Sequence, residues 1–220
     1  MYYTIKGLVL NSKIHGEHDK LITVYCNQWG KIQAVVPSAK KIAAKLSAAT
    51  EPLTESEFHI FNSNSCFSIR PKITGAIIIN NNTTMKNNFM RNLYALYAAE
   101  VGDKFAPSYL ENTKKYDLIV RIWEILNVCK YPKRALTAFI LRFLKLSGYS
   151  FSDYIRNNWS FIDKRIAMDI RKLSTCSGYD VDFIEEIEDE KIWNYVESYL
   201  TSYIRRPAVS IFLQKMNAKS

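Results

Sequence analysis

Tyr3-Thr-Ile-Lys-Gly-Leu-Val-Leu10, Leu21-Ile-Thr-Val-Tyr-Cys26 and Ile32-Gln-Ala-Val-Val36 read as three successive strands. They are short, rich in β-branched and aromatic residues, and a tight Asn27-Gln-Trp-Gly-Lys31 turn precedes the third. Phe58-His-Ile-Phe61 and Cys66-Phe-Ser-Ile-Arg70 add two more strands across an Asn62-Ser-Asn-Ser65 turn. Ser38 to Ala49 is rich in alanine and lysine and predicts a short helix between strands three and four. Five strands with a helix between the third and fourth are the layout of an OB-fold β-barrel, which is expected over residues 1–80.

After Asn80-Asn-Asn-Thr-Thr84 the period changes. Met85, Phe89, Leu93, Leu96 and Tyr97 recur at three- and four-residue spacing, and a second helix is expected from about Tyr109 to Val128 around Ile119, Ile122 and Trp123. A third starts after Pro132, carries Leu136, Phe139, Ile140, Phe143 and Leu144, and stops at Gly148. Three more are expected over Phe161 to Leu173, about Val181 to Tyr203, and Pro207 to Met216. Residues 81–220 therefore read as an all-α helical bundle, and the chain as a mixed fold of two domains.

The composition narrows the function. With 220 residues, 48% of them hydrophobic, the chain is long enough to bury a proper core. Its formal net charge of +9 favours a polyanionic partner, solvated lysines being the alternative. Residues 1–75 hold nine Lys/Arg against five Asp/Glu, residues 76–172 sixteen against eight, and residues 173–220 five against eight, so the excess lies in the first two regions. No apolar run approaches the roughly 18 to 20 residues that span a bilayer, and the first residues lack the pattern of a secretory signal, so a cytoplasmic protein is expected. Cys26, Cys66, Cys129 and Cys176 are scattered, which suggests reduced thiols rather than disulfides or a metal knuckle. His15 and His18 flank a Gly-Glu turn and read as a solvated loop before a metal site. There is no phosphate-binding loop and no activated nucleophile, so no enzyme and no cofactor are expected. The acidic run Glu185-Glu-Ile-Glu-Asp-Glu190 would suit a metal-dependent nuclease, but it reads better as carboxylates complementing a helix N-terminus.

Two stretches carry a family resemblance: Gly7-Leu-Val-Leu-Asn-Ser-Lys-Ile-His-Gly-Glu-His-Asp-Lys-Leu-Ile-Thr-Val-Tyr25, with its G-E-x-D turn, and Trp29-Gly-Lys-Ile-Gln-Ala-Val-Val-Pro-Ser-Ala-Lys-Lys41. Leu53-Thr-Glu-Ser-Glu-Phe-His-Ile-Phe61, Leu141-Arg-Phe-Leu-Lys-Leu-Ser-Gly-Tyr149 and Tyr199-Leu-Thr-Ser-Tyr-Ile-Arg-Arg-Pro207 follow in the same order. Together they resemble the bacterial RecO family of recombination mediators. The resemblance implies a DNA repair and homologous recombination mediator of the RecF pathway. Such a protein binds single- and double-stranded DNA, anneals complementary strands, and acts with RecR and single-strand-binding protein to load RecA. Many members of that family carry a four-cysteine zinc site after the L-G-Y segment, where this chain has only Cys176. No metal is therefore expected, and Phe151, Tyr154, Trp159, Phe161 and Ile166 are expected to hold the region by apolar packing. An OB-type RNA-binding factor is the alternative among binding proteins.

The chemistry of sequence-tolerant nucleic-acid binding selects candidate residues, because cations must track phosphates and aromatic faces must stack on bases. Lys6, Lys13, Lys20, Lys31, Lys40, Lys41 and Lys45, with Trp29, are the candidates in the barrel; Tyr25 and Trp29 suit stacking and core packing equally. In the helical part, the resemblance implies a site for the acidic, aromatic-ending tail of single-strand-binding protein. Lys133, Arg134, Arg142 and Lys145, set beside an apolar helix face, are its candidates, a solvated face being the competing reading.

Overall fold

The computed structural model describes residues 1–37, 46–62, 70–149, 151–157, 163–176, 179–184 and 187–203. Five strands close into a ring: β1 (Tyr2–His15), β2 (Asp19–Cys26), β3 (Gly30–Val36), β4 (Glu55–Phe61) and β5 (Lys72–Asn80), in the order β1-β2-β3-β5-β4 and back to β1. Closure follows from the length of β1. Its first half pairs with β4, from Tyr2 opposite Phe61 to Leu8 opposite Glu55, and its second half with β2, from Gly7 opposite Cys26 to His15 opposite Asp19. A register shift between Val9 and Asn11 bends the strand between its two partners. Alternate side chains then point inward, where Ile5, Val9, Val24, Ile32, Phe58 and Ile60 form the core of the barrel. This is the five-stranded OB barrel that the sequence pattern implies.

The fifth strand departs from expectation. It was expected at 66–70, where Cys66 to Ile69 lie outside the described residues, and the described fifth strand is Lys72–Asn80. Two register shifts against β4 break its alternation, and Ile77, Ile78 and Ile79 are all exposed, so the segment reads from sequence as an apolar run beside a linker. Most of the expected helix from Ser38 to Ala49 lies outside the described residues; Ala48–Thr50 is a single 3-10 turn.

Seven helices follow among the described residues: α1 (Thr83–Asn87), α2 (Phe89–Phe105), α3 (Thr113–Val128), α4 (Pro132–Leu146), α5 (Phe151–Asn157), α6 (Lys164–Thr175) and α7 (Asp189–Tyr203). By contacts the chain forms two compact units, one of residues 1–83 with 102–120, the other of residues 84–101 with the described residues from 121 onward. The helix α4 is bounded as its sequence dictates. Pro132 opens it, and Gly148 at φ +87° lets the Gly148 N–H donate to the Lys145 carbonyl (3.2 Å) and the Tyr149 N–H to that of Leu144 (2.9 Å). The helix α6 starts at Lys164, where the Asp163 carboxylate accepts from the Arg165 N–H at 2.7 Å.

The helix expected from about Val181 begins instead at Asp189, after a 3-10 turn at Tyr179–Phe183. The cause is local chemistry. The carbonyls of Val181 and Ile184 accept from Arg134, and Asp182 accepts from the backbone N–H groups of Lys130 and Tyr131 at 2.9 and 3.1 Å, so these groups are spent on other elements. Apolar packing holds the region that follows the L-G-Y segment. Phe151 and Tyr154 stack with Tyr199 at 4.8 and 4.7 Å between ring centres, and Ile166 is buried; Trp159 and Phe161 lie outside the described residues, as does the expected helix 207–216.

Candidate nucleic-acid interface and peptide pocket

The outward face of the barrel decides what it can bind. On β2 the inward residues are Ile22, Val24 and Cys26, so Leu21, Thr23 and Tyr25 face outward, and yet all three are buried. One rung, Glu55-Leu8-Tyr25-Lys31, runs across β4, β1, β2 and β3. The segment 102–120 lies over it: the Tyr116 hydroxyl donates to Glu55 Oε1 at 2.9 Å, and the Tyr25 hydroxyl to the Asn112 carbonyl at 3.4 Å. Lys31 Nζ donates to the Asp103 carbonyl and sits 3.4 Å from its carboxylate. Burial, reinforced by Cys26, pushes the Tyr25 phenol up to about 12, and burial followed by the charge of Glu55 pushes Tyr116 higher still. Oligonucleotides characteristically meet an OB barrel on strands 2 and 3. Here the chain's own 102–120 segment occupies the end of that face formed by Tyr25 and Lys31.

The candidate residues of the barrel fall into three groups. Lys31 is held by Asp103, and Lys20 pairs with Glu51 at 2.7 Å. Trp29 is half-buried against the core with its ring edge-on to Tyr3 at 5.0 Å, and Tyr25, at 1% exposure, is buried on the outward face, where its hydroxyl donates to Asn112 of the 102–120 segment. Lys6 and Lys13 are exposed, while Lys40, Lys41 and Lys45 lie outside the described residues.

In the helical unit the four α4 cations diverge. Lys133 pairs with Glu190 at 2.6 Å. Arg134, 6% exposed, makes a two-point pair with Asp189 (Nε to Oδ1 2.9 Å, Nη2 to Oδ2 2.8 Å), donates to the Ile184 carbonyl at 2.6 Å, and stacks on Tyr131 at 4.4 Å. Arg142 donates to Cys176 Sγ at 3.3 Å. Lys145 alone of the four lines a pocket of about 590 Å³ formed by α4, α5 and α6. Its apolar lining includes Leu141, Phe151, Ile155 and Met168, and its cations among the described residues are Lys145, Arg156 and Arg171. Sequence reasoning missed Arg156 and Arg171. The only available signal was that Met168, Arg171 and Thr175 share one face of α6 at three- and four-residue spacing.

Residues 1–75 match the family model for the recombination protein O N-terminal domain. Over 152 residues the chain is 34% identical to the DNA repair protein RecO of Mycoplasma mycoides, a match covering 67% of this chain and 59% of the relative. The chain belongs to the RecO family. It is also 29% identical over 143 residues to the Listeria monocytogenes DNA repair protein RecO, and there the match spans little more than half of the relative, 54%. The RecO of Alkaliphilus metalliredigens matches at 22% identity across 98% of this chain and 89% of its own length. Cys176 is the one cysteine of the sequence after Cys129, and its sulfur accepts from Arg142. No helix among the described residues is long and apolar enough to cross a membrane.

Proposed function

We propose that this chain is a non-catalytic mediator of DNA repair and homologous recombination that holds single- and double-stranded DNA by backbone charge and anneals complementary strands. With RecR it would help RecA replace single-strand-binding protein. In this reading residues 1–80 are the nucleic-acid-binding domain and residues 81–220 the helical domain of RecO type, in the cytoplasm at the nucleoid. The observation that carries it is the α4–α5–α6 pocket. A cavity with both apolar and cationic lining suits the terminal ring and the carboxylates of the tail of single-strand-binding protein, with Lys145 and Arg171 on the carboxylates and the ring against Phe151 and Met168. Lys133 and Arg134 serve α7 instead, because Glu190 and Asp189 neutralise them. The nuclease alternative has little support, since Glu188, Asp189 and Glu190 each pair with a cation of the chain.

The test is annealing of complementary oligonucleotides coated with single-strand-binding protein. The chain should accelerate annealing over coated strands alone, and should lose that effect when the coating protein lacks its acidic tail. Absence of acceleration across a salt titration overturns the proposal.

A further inference from the structure

While strands 2 and 3 are covered at Tyr25 and Lys31, the outward face of β1, β4 and β5 stays open at Tyr2, Thr4, Lys6, His59 and Lys72. The register defines its rungs. Tyr2 lies opposite Phe61 and Phe61 opposite Lys72; Thr4 lies opposite His59 and His59 opposite Gly75; Lys6 lies opposite Glu57 and Glu57 opposite Ile77. Because Ile5, Phe58, Ile60 and Ile73 point into the barrel core, these rung residues point outward.

Three rings stand on this face. Tyr2 is 77% exposed, and its ring centre lies 5.1 Å from that of the half-buried Phe61. His59, two residues along β4 and hence about 7 Å away, is exposed and anchored by Thr4, whose hydroxyl lies 3.1 Å from Nδ1. Gly75 makes room for the imidazole: a Cβ there would come within 2.9 Å of His59 Cδ2. Exposed Lys6 and Lys72 flank the rings at opposite corners, with Arg70 exposed just before β5, and Glu57 is the one carboxylate on these rungs.

We infer that single-stranded nucleic acid lies across the β1–β4–β5 face, with bases on Tyr2, Phe61 and His59 and phosphates on Lys6 and Lys72. The inference rests on the DNA-binding reading above and specifies where that binding occurs. Planar bases match rings set in a polar surround, and the positive balance matches phosphates. The exposed Ile77, Ile78 and Ile79 stand at the other end of the face, and Thr4, Lys6, Glu57 and His59 separate them from Tyr2 and Phe61, so the end that carries the rings lacks the continuous apolar patch a protein partner would use.

The test uses the full chain and a fluorescein-labelled oligothymidylate in anisotropy titrations across a salt series. Combining Tyr2→Ala with Phe61→Ala should raise Kd at least tenfold, about 1.4 kcal/mol. Tyr2→Trp, which keeps a stacking ring, should bind like wild type. Combining Lys6→Ala with Lys72→Ala should flatten the slope of log K against log salt by about 1.4, or 0.7 per phosphate contact on a single strand. Photocrosslinking to thymidine, mapped by mass spectrometry, should mark Tyr2 or Phe61 in the unsubstituted chain and so does not depend on any variant folding. If wild type binds the oligonucleotide while the ring variants bind equally well and crosslinks fall elsewhere, the face is wrong and the DNA-binding reading stands. If wild type binds no single strand at low salt, both fall.

Discussion

Replacing Arg134 with methionine tests the structural role assigned to the most deeply engaged cation of α4. The guanidinium holds a two-point pair with Asp189 and donates to the carbonyls of Val181 and Ile184, so one side chain ties α4 to the 179–184 segment and to the start of α7. Methionine keeps the apolar stem and deletes all four donations. Removing one member of a buried pair costs about 3–5 kcal/mol. Asp189 is 30% exposed and regains some hydration, and the Val181 contact at 3.4 Å contributes little, so about 3 kcal/mol is expected. For a chain of this size that is a fall in melting temperature of roughly 6–12 °C. Urea melts followed by tryptophan fluorescence would read it, since Trp123 and Trp193 are buried in the same unit. A double-mutant cycle with Asp189→Leu should recover part of the loss, because the second change removes the stranded carboxylate. An Arg134→Met protein within about 1 kcal/mol of wild type, or strict additivity in the cycle, would refute the reasoning.

Three further outcomes follow from named contacts. Combining Lys145→Ala with Arg171→Ala should weaken binding of the acidic tail peptide about tenfold in fluorescence anisotropy, whereas Lys133→Ala, which frees Glu190 on α7, should leave it within about twofold. Gly30→Ala should destabilise the barrel by at least about 2 kcal/mol in thermal melts, since φ is +64° and the new Cβ would sit 2.0 Å from the Leu110 carbonyl oxygen. The phenol of Tyr25 is raised from 10.0 to about 12 in the fold, so its contribution is whole below pH 10 and fades as the pH climbs towards 12; Tyr25→Phe should flatten that alkaline loss in pH-dependent melts.

How much of this the sequence displays depends on whether a feature obeys a period. The first four strands do: their core residues alternate, and β1 to β4 fall close to where apolar alternation puts them. The fifth does not, because two register shifts in nine residues leave Lys72–Asn80 with no regular inside and outside. The helix α4 is legible at both ends, from Pro132 and from Gly148. The start of α7 is not, because helical periodicity continues back to Val181 while the carbonyls of Val181 and Ile184 are claimed by a residue about fifty positions earlier.

The candidate sites show the same limit in electrostatic terms. A charge count sees cations but not their partners. Lys31 belongs to the most basic stretch of the barrel, and Asp103, which holds it, lies 72 residues away. Arg134 and Lys133 sit in the most basic of the three regions, residues 76–172, and the acidic run that follows supplies their counter-ions, so Asp189 and Glu190 have one defined partner each in addition to their place at the α7 N-terminus. Pairing spends Arg134 and Asp189 on the fold and partly neutralises Lys133, so less conspicuous cations are the better candidates for a partner. Lys145 and Arg171 beside an apolar pocket, and Lys6 and Lys72 beside exposed rings, remain with cationic ends and no acid within ion-pair distance among the described residues. A net charge of +9 favours a polyanionic partner, and the internal pairing decides which cations are left to meet one.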